Sequence, residues 1–148
     1  MSRAPNQILV FPLRQHTKVI FEYAIFKRAD AACWQGIAGG GEGDETPLQA
    51  ARREAWEEGG IPLDAEFMAL DSMTTIPAVW AAGMLWGEEV LVVPEYSFGV
   101  RLQGREIALS REHSEYAWVD YKTALQRLKW DSNRSALWEL NYRLMRLR

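Results

Sequence analysis

Glu54, Glu57 and Glu58 stand at i, i+3 and i+4. On a helix, at 100° per residue, they share an arc of about 100°. Carboxylates placed this way repel one another unless something positive sits among them. Hard divalent cations take such oxygen ligands. Arg53 precedes Glu57 by four residues, a spacing at which helical side chains meet, so it can orient that carboxylate. The same three glutamates would also make a solvated acidic face, so the surrounding sequence has to decide.

The surrounding stretch, residues 39–61, reads GGGEGDETPLQAARREAWEEGGI. Thr46 is a good N-cap, Pro47 suits the first helical position, and Gln49 completes a capping box. Gly59 and Gly60 supply a stop. The predicted helix is about twelve residues, or roughly 18 Å, long. Leu48, Ala51 and Ala55 form the face that would pack on a sheet. Trp56 points away from the carboxylates and reads as packing. Small Ala50 leaves room on the carboxylate face. Residues 39–41 read as a glycine loop that lets backbone approach a ligand closely, which makes Gly39 and Gly40 candidate substrate contacts. A phosphate-cradling P-loop is excluded, because no Gly-Lys-Ser/Thr follows the glycines. The spacing of calcium-loop oxygen ligands is absent too.

Around this helix, residues 7–14 and Phe21–Arg28 read as two strands joined by a polar turn. Residues 65–73 read as a strand, and residues 96–102 alternate with the period of a half-buried one. Residues 121–130 have helical composition. A last helix starts at Asp131 or Ser132 and carries Leu137, Leu140, Leu144 and Leu147 on one stripe. Hairpin-like neighbours interspersed with helices fit an α/β fold with a mixed sheet.

The 148 residues suffice for one domain with a real core, taken as residues 1–148. A net charge of −3 gives no global basic field for nucleic acid. The single cysteine, Cys33, excludes an internal disulfide and reads as small buried filler. No signal-like or membrane-spanning apolar run is present, so the expectation is a cytoplasmic protein without membrane or nucleic-acid partners. Seven tryptophans leave room for an apolar patch and a homodimer. Lys27 and Arg28 end the second strand, where they can hold phosphates. Trp34 precedes the glycines and reads as core first, with stacking on a base or pterin ring second.

Gly39, Glu45, Arg53-Glu54, Glu57-Glu58, Gly60 and Ile61, at these spacings, resemble the box of the Nudix hydrolase family at every fixed position. Residues 109–121 resemble the later acidic loop of the family, and residues 26–40 and 130–137 resemble its dihydroneopterin triphosphate pyrophosphatase branch. The resemblance implies an α/β/α sandwich around a mixed sheet. It implies Mg²⁺, replaceable by Mn²⁺, held by Glu54, Glu57 and Glu58, with Glu112 as a further ligand or the general base. Arg53 and Glu45 would hold the metal glutamates in place. Both Glu54 and Glu112 qualify as the base, since the family uses either position. The implied substrate is a nucleoside diphosphate linked to another group, with dihydroneopterin triphosphate or a nucleoside triphosphate favoured. Pro77, sixteen residues after Ile61, is reminiscent of ADP-ribose pyrophosphatases. Dinucleoside polyphosphate cleavage and a non-catalytic nucleotide-sensing domain are also compatible with the resemblance.

Overall fold

The computed structural model describes residues 2–104, 107–111 and 113–146, with the backbone alone for Ser114. Its strands are β1 (Arg3–Gln15), β2 (Phe21–Arg28), β3 (Trp34–Gln35), β4 (Ile37–Glu42), β5 (Glu66–Pro77), β6 (Val92–Arg101) and β7 (His113–Val119). Its helices are α1 (Pro47–Gly59), α2 (Ala78–Ala82), α3 (Tyr121–Arg127) and α4 (Asp131–Arg146).

The strands form one mixed sheet in the order β3-β2-β1-β6-β5, with β4 pairing β1 and β7 pairing β2. β1 is the spine. It runs parallel to β6 and antiparallel to β4 and β2. Its run ILVFPL is apolar on both faces because both faces are covered. Ile8 and Val10 join Ala24 and Phe26 in the core beneath α1. Leu9, Phe11 and Leu13 join Tyr23 and Ile25 in the core beneath α3 and α4. Pro12 falls between the stretch that pairs with β4 and the stretch that pairs with β2. A residue without an N–H suits such a change of partner, since no ladder donor is left over.

The final helix is fixed by its stripe. Leu137, Leu140 and Leu144 are buried. Each contributes on the order of 1.5–3 kcal/mol by leaving water. Leu147 lies outside the described residues. Glu139 ties the same helix to β5. Its carboxylate accepts from the backbone N–H groups of Asp71 and Ser72 at 2.8 and 2.7 Å. Here β5 slips register against β6, between Ala69 and Met73, so its ladder is interrupted and a side chain supplies the acceptor.

Four expectations are corrected. Residues 39–41 are not a loop but part of β4, paired with β1. The strand expected over 65–73 continues to Pro77, carried by its pairing with β6. The helix expected over 121–130 ends at Arg127, because Leu128 turns extended and bridges to Trp34. Trp56 does point away from the carboxylates, but it is 54% exposed and packs little. No described helix is long and apolar enough to cross a membrane.

Candidate metal centre and the cavity beside it

α1 starts as its sequence predicts. The Thr46 hydroxyl accepts from the Gln49 N–H at 3.2 Å, and the Gln49 side chain accepts from the Thr46 N–H at 2.8 Å. It stops at Gly60, whose φ of 65° is left-handed. That conformation suits glycine and closes the helix. Ala51 and Ala55 are buried against the sheet as expected, but Leu48, expected on the same face, is 38% exposed, and Ala50, expected to leave room on the carboxylate face, is buried with the other two alanines. Three alanines on the buried side let the helix lie close to the strands. That brings its carboxylates level with β4.

Glu54, Glu57 and Glu58 each offer an oxygen within 4.8 Å of the others. Arg53 spans the cluster and its support. It donates to Glu45 at 2.8 Å, to Glu54 at 3.0 Å, to Glu57 at 3.2 Å and to the Gly40 carbonyl at 2.7 Å. The hydrogen bond to Glu45 raises the guanidinium's pKa, so Arg53 stays charged. Glu45 is lowered in turn, chiefly by that same bond. Glu54 behaves oppositely. Burial pushes it up to about 7; Arg53 pulls it down, and Glu57 and Glu58 push it up again. One arginine does not neutralise the cluster. A divalent cation would, and three oxygens this close are a donor set that fits Mg²⁺.

The glycines of β4 clear space for this chain's own side chains. A Cβ on Gly39 would fall on the Glu54 carboxyl, and a Cβ on Gly40 would fall on the Arg3 guanidinium. Close approach was the expected reason for these glycines; the partners are a glutamate from below the sheet and an arginine from above it.

A loop from far along the chain closes the centre. Ala108 N–H donates to the Gly59 carbonyl at 2.9 Å, and Ser110 N–H to the Glu58 carbonyl at 3.3 Å. The Ser110 hydroxyl donates to the Glu58 carboxylate. His113 Nδ1 lies 3.5 Å from the same carboxylate, and both side chains are buried. Glu112 lies outside the described residues. Glu115, its neighbour on β7, pairs instead with Lys27 at 3.4 Å.

A cavity of about 590 Å³ has Gly39 and Gly40 in its wall. Arg3, Arg28, Arg111 and Trp80 are in its wall. Arg28, at the end of β2, is part of this wall and carries an ion pair to Asp30 at 2.8 Å. Trp34 is elsewhere. It is half-buried in the core beneath α3, with Arg127 over its ring at 5.9 Å. The aromatic wall of the cavity is Trp80, 75% exposed on the short α2 that follows Pro77. The sequence did not single out Arg3, Arg111 or Trp80. Only Pro77 hinted that the segment before α2 mattered. Cys33 is buried and free, as expected.

Comparison with known proteins bears on the family and the fold. The NUDIX domain pattern matches residues 5–139. A dihydroneopterin triphosphate diphosphatase of Escherichia coli K12 is 31% identical over 138 residues, covering 91% of each chain. Among solved structures, a NUDIX hydrolase candidate from Listeria monocytogenes superimposes with a TM-score of 0.88 at 40% identity, over 97% of both chains. The E. coli dihydroneopterin triphosphate pyrophosphohydrolase superimposes with a TM-score of 0.78 at 27% identity, over 95% of this chain and 97% of that one.

Proposed function

Because this chain belongs to the NUDIX domain family and is a hydrolase of phosphoanhydride bonds, we propose that it is a Mg²⁺-dependent pyrophosphohydrolase acting on dihydroneopterin triphosphate or a nucleoside triphosphate. The observation that carries the reading is the triple-glutamate cluster, its oxygens within 4.8 Å, set against a cavity walled by arginines. An acidic helix alone would repel a polyphosphate. Arginines on one side and a cation on the other reverse that sign.

Glu54, Glu57 and Glu58 would hold the metal, with Arg53 and Glu45 fixing their orientation. When bound, Mg²⁺ offsets phosphate charge and lowers the pKa of a nearby water. Arg28 and Arg111 would hold the polyphosphate, and Gly39 and Gly40 would leave backbone beside it; that all four line one cavity supports this reading. Water attacks phosphorus, the P–O anhydride bond breaks, and a carboxylate takes the water's proton. We assign that carboxylate to Glu112, with Glu54 as the second candidate. Ser110 and His113, which flank Glu112 in sequence, both reach Glu58. The reading includes a cytoplasmic protein acting on a small molecule, as one domain.

The test is kcat/KM over a panel of nucleoside triphosphates, dihydroneopterin triphosphate, ADP-ribose and diadenosine polyphosphates. Chelation should abolish turnover, and Mg²⁺ or Mn²⁺ should restore it. Full turnover in excess chelator defeats the metal assignment. Glu112→Gln should slow turnover roughly 10–10³-fold, and Glu115→Gln little. Equal, near-native rates in both variants transfer the base to Glu54.

A further inference from the structure

Between β5 and β6 the chain leaves the sheet over residues 78–91. Ala78 alone is buried in this excursion. Val79, Trp80, Met84, Leu85 and Leu91 are 55–75% exposed. Its only charges are Glu88 and Glu89. The excursion is nevertheless fastened. The Ala78 N–H donates to the Leu91 carbonyl at 2.9 Å, and the Trp86 indole N–H donates to the Arg3 carbonyl at 3.0 Å. The Trp86 ring lies 5.5 Å from the Arg3 guanidinium. A Cβ on Gly40 would meet that guanidinium, whereas a Cβ on Gly39 would meet Glu54 of α1. Neighbouring strand residues face opposite ways, so Arg3 and the excursion fastened to it lie on the α4 side of the sheet.

A second surface lies on that same side. β5 ends the strand order, so among the described residues its outer edge pairs with no strand. Folds cover such an edge or pair it. Met68 and Ser72 of β5, with Trp138, Tyr142 and Arg146 of α4, line a cavity of about 710 Å³ along it. The Trp138 and Tyr142 rings stack at 5.2 Å and are about half exposed. Arg146 lies 5.7 Å from the Tyr142 ring and has no ion pair among the described residues. One surface is apolar and acidic, the other aromatic and basic. Held on Arg3, the excursion contributes nothing to the cavity of its own chain. A two-fold axis perpendicular to the sheet, at the outer edge of β5, sets the β5 strands of two copies antiparallel. Both α4 helices stay on one side, and the Pro77 end of each β5 meets the Glu66 end of the other. Each excursion then faces the partner's cavity, and the contact is made twice.

We propose that the chain forms a homodimer of this kind, the excursion of each copy packed on the β5–α4 cavity of the other, with Glu88 and Glu89 toward Arg146. Trp80 stands in the wall of the arginine-walled cavity and is left to it. The other exposed side chains named here amount to roughly 700 Å² per copy, near the ~800 Å² that each partner gives to a standard interface. Two acids and no base on the excursion argue against nucleic acid or an anionic lipid surface as its occupant. The dimer also braces the segment that carries Trp80.

Sedimentation equilibrium of the full chain should show twice 16.9 kDa at about 100 μM, far above the micromolar Kd at which interfaces of this size are weakest. Leu85→Asp on the excursion and Trp138→Asp at the cavity should each weaken the dimer tenfold or more. An equimolar mixture of the two variants should associate more tightly than either alone, because it regains one of the two contacts intact. Should either fail to fold, Met84→Asp and Arg146→Glu make the same pair. A monomeric wild type at that concentration, a dimer unweakened in the folded variants, or a mixture no tighter than its components overturns the proposal. Hydrolysis by a monomer would defeat the dimer and leave the proposed activity standing.

Discussion

On α1, Glu54, Glu57 and Glu58 crowd their oxygens within 4.8 Å, and Arg53 serves two of them along with Glu45. On α4, across the sheet, Glu139 stands alone. It is surrounded by two backbone N–H groups, the Ser72 hydroxyl at 2.6 Å and the Arg143 guanidinium at 2.8 Å. Both helices press acids toward the same sheet. Burial pushes Glu54 up to about 7. Burial also pushes Glu139 up, but its hydrogen bonds outweigh that and leave it below the ordinary carboxylate value. An acid whose partners are complete within the fold is a fastening. Acids that outnumber their partners are held ready for something from outside.

The largest effect that would break this contrast is on α1. Glu57→Gln and Glu58→Gln should each lower kcat by roughly 10²-fold or more. Their unfolding temperatures without metal should hold or rise, because like-charge repulsion is relieved. Near-native kcat at saturating Mg²⁺ would make the cluster a fastening like Glu139.

Gly39→Ala asks whether the space for Glu54 matters. Its Cβ would fall on the Glu54 carboxyl. Metal affinity should drop by about 10–100-fold, the usual range for disturbing a ligand's support. Titration with Mn²⁺ would read the change, and an unchanged affinity would mean that Glu54 has another position in which to bind.

Glu139→Gln is the reverse case. Stability should fall by about 1–3 kcal/mol at neutral pH, with kcat unchanged. The folded pKa lies below the unfolded value of about 4.5. The carboxylate's contribution is therefore present above that value and lost as pH falls through the folded one. Denaturant melts from pH 7 to pH 3 should show the gap between wild type and variant closing at the acid end. A gap independent of pH would mean that packing, not charge, fastens α4 to β5.

Trp56→Gln should have the smallest effect, within about 0.5 kcal/mol of stability and without change in kcat, because the ring is 54% exposed and faces away from the cluster. A larger loss, read by thermal unfolding, would show that the ring supports α1 after all.

The local part of the metal centre was legible in the sequence. Thr46, Pro47 and Gln49 start α1, Gly60 ends it, and the 3.6-residue period puts three glutamates and Arg53 on neighbouring faces. These are contacts within about four residues, which spacing alone dictates. The apolar runs of β1 and β2 likewise announced strands, since a strand buried on both faces needs no alternation. What the sequence could not supply were meetings between distant segments. Glycines 39–41 look like a loop because glycine is a poor strand former. They are a strand because β1 pairs with them and Glu54 and Arg3 need the space. Trp34 and Trp80 are equally aromatic in sequence, and only the packing of α3 and the placing of α2 decide which one stands in the arginine-walled cavity. Ser110 reaches Glu58 across 52 positions, and Glu95 lines up with Gly40 through β1. Such pairs carry no local signature, because strand register and loop docking are set by the burial of the whole sheet and not by any one segment.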